Sequence, residues 1–320
     1  MTANNARKIT DRIDAITRIP AAYAAPVTPC PKSVKIELTG KCNFACSFCA
    51  RNQRLRKQDE MDRGFYERIV KEMSAAGVEE LGVFYLGESF MCDWLPEAIH
   101  YAKHVAGIPY IFLTTNGSLS TPERVEACMQ AGLDSLKFSY NYADANQLKD
   151  IAKVKTAMFD TIVENIQGAH AVRTKGGYKC GLYASYIEYD GDQGQRMQQA
   201  VERVRPYVDQ LYALPLYNQA AFVSEQEKAR GWKPIQGNRG RVGALRDPLP
   251  CWAVFTEGHI SWDGKLSACC FDHDGRFHMA DLNTTPFMEG WNSVKYQTLR
   301  AAHLKKDVTG TVCEKCVIFG

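Results

Sequence analysis

Three cysteines fall within eight residues, Cys42-Asn-Phe-Ala-Cys46-Ser-Phe-Cys49. Thiolates that close can converge on one small inorganic centre, and thiolate ligation favours zinc or an iron–sulfur cluster. A structural zinc wants four protein ligands, and no neighbouring residue offers a fourth cysteine or a histidine. A [4Fe–4S] cube gripped at three corners leaves one iron open to a bidentate small molecule, much as a catalytic zinc keeps an open position. That arrangement points to catalysis. A second group comprises Cys251, twelve residues, Gly264, four residues, Cys269, and later Cys313-Glu-Lys-Cys316. Four thiolates suit structural zinc and a fully ligated [4Fe–4S] cluster equally. Five further cysteines are scattered: Cys30, Cys92, Cys128, Cys180 and Cys270.

Such loops need a scaffold that brings them together. From Ser33 to about Tyr217 the chain alternates strand-like and helix-like segments. Strands are expected over Ser33–Leu38, Leu81–Leu86, Tyr110–Thr114, Ser135–Tyr140, Cys180–Ile187 and Gln210–Leu216. Helices are expected over Arg63–Ala76, Leu95–Val105, Pro122–Ala131, Phe159–Thr174 and Gln193–Val204. Repeated βα units imply a parallel sheet whose right-handed crossovers curl it into part of a barrel, with ligands at the C-terminal strand ends. The fold class is therefore α/β, a partial (β/α)6 barrel over residues 33–220. Residues 1–32 form a preamble in which Ile9, Ile13 and Ile16 mark an amphipathic helix that packs on the main domain. Residues 221–250, rich in Gly and Pro, read as a linker or lid. Its basic run (Lys228, Arg230, Lys233, Arg239, Arg241, Arg246) could clamp an anionic substrate group or simply be solvated. Residues 251–320 read as a small second domain, with a two-residue hairpin at Asp263-Gly264 and a helix over Asn292–Leu304.

The first cysteine loop, set just after the first strand of a βα-repeat domain, resembles that of the radical S-adenosylmethionine (SAM) superfamily. The resemblance implies that Cys42, Cys46 and Cys49 hold a [4Fe–4S] cluster whose open iron chelates SAM, and that a 5′-deoxyadenosyl radical then abstracts a substrate hydrogen atom. Other positions match it residue by residue. Phe48 stands at the aromatic position that contacts adenine. Gly87 and Glu88 stand where a Gly-Gly-Glu-Pro-like segment meets the SAM amino group, although the flanking Leu86 and Ser89 depart from that pattern. Thr115 and Asn116, in Thr114-Thr115-Asn116-Gly117, resemble a common strand-end segment. Ser139 and Asn141 occupy positions that reach the SAM carboxylate and ribose.

The second cysteine group resembles the Twitch domain, the shorter relative of the SPASM domain in these enzymes. It implies one auxiliary [4Fe–4S] cluster on Cys251, Cys269, Cys313 and Cys316. Twitch enzymes include cyclitol dehydrogenases and aminoglycoside epimerases. The reaction expected is therefore dehydrogenation or epimerisation of a carbinol carbon in a sugar, cyclitol or nucleotide-linked sugar. Cys270 is a candidate hydrogen-atom donor, and Asp272, His273, Glu188 and Asp190 are candidate proton acceptors beside the plainer role of loop charges. An electron donor such as flavodoxin or ferredoxin is implied.

Composition narrows the partners. Hydrophobic residues make up 45% and charged residues 23% of the 320, and the net charge is +3. This is a globular mix with too little charge to argue for nucleic acid or membrane. The apolar runs fall far short of the ~18 residues that span a bilayer. With no export signal, grouped thiols read as cytoplasmic and metal-bound rather than as disulfides. Two other readings compete. Modification of a ribosomal peptide would often bring a longer leader-binding segment than the preamble. A non-enzymatic electron carrier would not need an open iron.

Overall fold

The computed structural model describes residues 8–50, 57–222 and 231–317. Six parallel strands run in chain order: β1 (Ser33–Ile36), β2 (Glu80–Gly82), β3 (Tyr110–Thr115), β4 (Ser135–Ser139), β5 (Gly181–Ile187) and β6 (Gln210–Leu214). Each pairs with the next, from Ser33 beside Glu80 to Ile187 beside Leu214. Between them lie α2 (Arg63–Ala76), α3 (Leu95–His100), α4 (Pro122–Gln130), α5 (Ala145–Ala152), α6 (Met158–Gly176) and α7 (Gly191–Glu202); α1 (Ile9–Ile16) precedes the sheet. Asp62 caps α2 by accepting from Phe65 N, and Gly77 ends that helix at φ 91°, where a side chain would be strained.

The tail does not stand apart from this sheet. Its strand β7 (Glu257–Ile260) pairs in parallel with β1, and β8 (Lys265–Ser267) and β9 (His278–Asp281) continue antiparallel, giving one nine-stranded sheet. The tail helices are α8 (Ala253–Thr256), α9 (Phe287–Trp291), α10 (Val294–Leu304) and α11 (Glu314–Val317).

Several expected elements differ in detail. The β7–β8 hairpin closes through three residues rather than two: Ser261 N bonds Lys265 O at 3.0 Å, leaving Trp262, Asp263 and the positive-φ Gly264 in the loop. Strand β2 stops at Gly82, because the chain beyond it turns toward the first cysteine loop, where Glu88 N bonds Lys41 O at 2.8 Å. The helix expected over Leu95–Val105 changes to a π turn at Tyr101–Val105, with Ala106 N reaching back to Tyr101 O. Helix α5, which is not among the expected helices, is capped by Asp144 accepting from Gln147 N.

Helix α1 packs as its isoleucine stripe predicts. Ile9 and Ile16 are buried, Ile9 against Tyr183 and Tyr212 and Ile16 against Trp252. Polar ties fix it further. Arg12 bonds Glu80 at 3.0 Å, Thr256 Oγ1 donates to Ile16 O at 2.8 Å, and Asp14 holds Arg241 by both carboxylate oxygens. No helix among the described residues is long and apolar enough to cross a membrane.

Candidate active site

The first cysteine loop leaves β1 and is braced from below by α5. Ala45 N and Ser47 N donate to Ala152 O and Ile151 O, and Cys49 N donates to Cys46 O at 3.1 Å. Cys42, Cys46 and Cys49 are all partly exposed. The Cys46 thiol lies 2.9 Å from the Tyr142 hydroxyl, and the Tyr142 ring also meets Phe44 and Phe48, with centroids 6.5 and 6.0 Å away. Short strands thus end in loops that are held rather than floppy.

The strand-end motifs meet through one carboxylate. Glu88 is buried, and its two oxygens accept from Thr115 Oγ1 at 2.8 Å, Phe90 N at 3.2 Å and Asn116 N at 2.8 Å. Burial raises its carboxyl above the ordinary value, with these bonds working in the opposite sense. Asn116 continues the network to Asn43 Oδ1 at 3.0 Å, and Asn43 to Ser118 Oγ at 2.8 Å, so the β2, β3 and cysteine loops form one unit. Gly87 is required by close approach: a Cβ there would lie 2.1 Å from Thr39 O and 2.7 Å from Lys41 O. Thr115 supports Glu88 and Gly117 N, so its hydroxyl is spent on the scaffold. Ser139 ends β4, and just beyond it the buried Asn141 Oδ1 lacks a hydrogen-bond partner. A buried acceptor left unsatisfied at a strand end is what a site completed by a ligand shows.

Below these loops the barrel encloses a cavity of about 310 Å³. Its floor is α1, through Ile9, Arg12 and Ile13; its walls include Lys35, Phe84, Phe112, Lys137, Tyr212, Glu257 and Cys270. Period-two alternation puts Lys35 and Lys137 on the inner face, positions the spacing of motifs did not single out. Asp272 and Glu188 lie elsewhere. Asp272 is buried in the turn after β8, accepting from Ser267 Oγ at 2.7 Å and Phe277 N at 3.2 Å, and Glu188 is exposed just past β5. Neither of these expected proton acceptors lines this cavity: one carboxylate is bonded within a turn, and the other is exposed just past its strand. The His273 ring is engaged with Gln219 Oε1 at 3.1 Å.

The basic run of the lid is also spent differently than expected. Arg241 pairs with Asp14, and Arg239 Nε donates to Arg246 O at 2.6 Å; Lys228 and Arg230 lie outside the described residues.

A second, small cavity is lined by Cys251, Cys269, Cys313 and Cys316, together with His303, Asn238 and Phe271. All four cysteines are buried. His303 stands beside them: its Nδ1 accepts from Cys251 N at 3.1 Å, and burial pushes the imidazole down to about 4. Tyr85 OH donates to Cys269 O at 2.7 Å, linking the end of β2 to this pocket. Cys270 lines the barrel cavity, yet its thiol hydrogen-bonds the Cys269 thiol and lies 3.3 Å from Asn238 Nδ2, which borders both cavities, so the two chambers meet at this cysteine pair. Among the described residues, no three His, Cys, Asp or Glu side chains close around a single ion. A cubane asks for a wider set, one thiolate per iron.

The chain matches the radical SAM superfamily over residues 36–184 and the SPASM iron–sulfur cluster-binding domain over residues 251–317. It is a radical SAM protein with an auxiliary-cluster domain. The radical SAM domain implies SAM and a [4Fe–4S] cluster that binds it, and the SPASM domain implies an auxiliary iron–sulfur cluster. The GTP 3′,8-cyclase of Chlorobaculum tepidum is 27% identical over 120 residues, covering 38% of this chain and 36% of the relative. The chain thus spans little more than a third of that enzyme. The PqqA peptide cyclase of Xanthomonas euvesicatoria is 28% identical over 277 residues, covering 74% of this chain and 72% of the relative. Among solved structures, BtrN in complex with AdoMet and 2-DOIA superposes with a TM-score of 0.58 at 13% identity, covering 89% of this chain and 91% of that one. That likeness concerns the fold.

Proposed function

We propose that this radical SAM enzyme acts on a small polar molecule in the barrel cavity, oxidising or inverting a carbinol carbon of a sugar, cyclitol or nucleotide-linked sugar. The observation that carries the reading is the pair Cys269 and Cys270. Cys269 lines the four-cysteine pocket, Cys270 lines the barrel cavity, and their thiols hydrogen-bond each other, which supports a substrate next to the auxiliary centre. The volume of about 310 Å³ suits a small ligand at the lower end of the usual pocket range and gives little room for a peptide segment.

Cys42, Cys46 and Cys49 are assigned to the SAM-binding cluster, and Cys251, Cys269, Cys313 and Cys316 to the auxiliary one. When bound, these groups supply a hydrogen-abstracting 5′-deoxyadenosyl radical and a one-electron acceptor. Glu88, fixed by Thr115 and Asn116, presents its carboxylate where the SAM amino group would sit, and the unpaired Asn141 Oδ1 and Ser139 line the neighbouring strand end. Phe48 offers an apolar surface beside Tyr142 for the adenine. Helix α1 and Phe112 line the chamber on its lower side.

Epimerisation is the second reading, favoured by the Cys270 thiol standing in the cavity as a hydrogen-atom donor. Anaerobic turnover with carbinol-deuterated sugars and cyclitols tests both. Deuterium entering 5′-deoxyadenosine supports the class, and its absence with every carbinol, together with transfer from a peptide, would sink it. With Cys270→Ala, an unchanged ketone yield selects dehydrogenation; abstraction that continues without an inverted product selects epimerisation.

A further inference from the structure

Lys137 lies in β4 between Ser135 and Ser139, and its side chain lines the barrel cavity. The other cations there are neutralised where they stand. Arg12 of α1 bonds Glu80 at 3.0 Å, and Lys35 of β1 bonds Glu257 of β7 at 2.9 Å. Tyr212, Tyr217 and Cys270 complete the titratable groups of the lining. No carboxylate is left for Lys137, whose side chain makes no ion pair or hydrogen bond among the described residues. Burial first, then repulsion from Lys35 and Arg12, brings its ammonium down to about 7. The walls beside it include Phe84 and Phe112, so a charge there is poorly solvated and interacts strongly with any counter-charge.

A half-buried cation that faces a cavity without its counter-ion is a receptor for one. We infer that Lys137 anchors an oxyanion, a carboxylate or phosphate group carried by the small molecule in the barrel cavity. The inference rests on the reading of that cavity as the substrate chamber, and it moves the anionic contact from the lid arginines, which hold α1 and each other, to the barrel interior.

The test uses cluster-reconstituted protein and two probes that stay ionised from pH 6.5 to 8.5. These are sulfate, which mimics a phosphate group, and malonate, which presents carboxylates. Calorimetric titration in buffers of different ionisation enthalpy should show saturable binding of one or both. About one proton should be taken up per probe bound at pH 8.5, with affinity falling about tenfold per pH unit above 7. Preference for sulfate assigns a phosphate-bearing substrate, and preference for malonate a carboxylate-bearing one. Lys137→Met should lose the binding. Lys137→Arg, which cannot deprotonate, should keep it without proton uptake, a result that a merely structural lysine would not give. No saturable binding of either probe, or binding by Lys137→Met equal to that of the wild type with its cluster absorbance intact, overturns the inference. Dithionite-driven SAM cleavage by the wild-type preparation reports on the enzymatic reading separately: its absence would sink that reading, whatever the probes do.

Discussion

On the proposed assignment of the cysteines, the two thiol groups answer opposite demands. Cys42, Cys46 and Cys49 sit on one short loop and remain partly exposed, whereas Cys251, Cys269, Cys313 and Cys316 are gathered from distant segments and are at most 9% exposed. A centre that must admit a ligand keeps an open face and a local ligand set. A centre that only passes charge can be closed over by the fold. The surroundings follow suit: polar strand ends and the unpaired Asn141 Oδ1 near the first, and Phe271, Phe277 and Val254 around the second.

The sharpest way to break this contrast is to remove a ligand of the open centre. Cys42→Ala, Cys46→Ala or Cys49→Ala should each abolish 5′-deoxyadenosine formation, a loss of at least about a thousandfold, read by anaerobic chromatography after dithionite reduction. SAM cleavage that persists would mean that the catalytic cluster lies elsewhere. A milder blow is Glu88→Gln. One charge-assisted hydrogen bond is worth about 1.5–3 kcal/mol, so SAM affinity should fall about 10- to 100-fold in an electron paramagnetic resonance titration, while iron content stays constant. Unaltered affinity would reduce Glu88 to a brace for Thr115 and Asn116.

The closed centre should respond differently. Cys313→Ala should take iron from about eight to about four atoms per chain and leave SAM cleavage in place. Unchanged iron would remove Cys313 from the ligand set, and a loss of cleavage as well would show that the two regions are not separable.

Much of this contrast was legible in the sequence, for a physical reason. Ligand spacing on one loop is a local property, and so is the βα alternation that puts Gly87, Asn116 and Ser139 at or after the ends of successive strands. The parallel pairing of β7 with β1 joins Ser33 to Glu257 across the chain, and no local pattern encodes which edge a distant hairpin will extend. Adjacency misled in the same way at Asp272: two residues from Cys270, it is turned into a β-turn by Ser267 and Phe277. Lys137 escaped notice because the polar face of its strand, Ser135, Lys137 and Ser139, reads as a solvent face, whereas here Ser135 and Lys137 line the barrel cavity while Leu136 and Phe138 are buried. Helix α5, Ala145–Ala152, does carry the period, with Leu148, Ile151 and Ala152 buried at i, i+3 and i+4, but eight residues are too short a run to stand out from the neighbouring loop.

The smallest effect separates the two regions by pH. His303 accepts a hydrogen bond from Cys251 N, and burial holds its imidazole near 4 against an ordinary 6.5. A base with a lowered folded pKa stabilises the fold fully above its unfolded value and loses that contribution as pH falls toward the folded one. The window here therefore runs from about 6.5 down to about 4. Between pH 8 and pH 6 the loss is about 1 kcal/mol, or about 2 °C in the unfolding midpoint. It should be concentrated at the four-cysteine pocket, where protonation would turn the Nδ1 acceptor into a donor facing Cys251 N–H. Auxiliary iron should then be released faster at pH 6 than at pH 8, while the SAM-binding cluster, with no histidine against its cysteines among the described contacts, changes less. His303→Gln can keep the acceptor at every pH and should flatten that dependence. If the variant retains the wild-type slope, the sensitivity belongs to the thiolates themselves, and His303 is only packing.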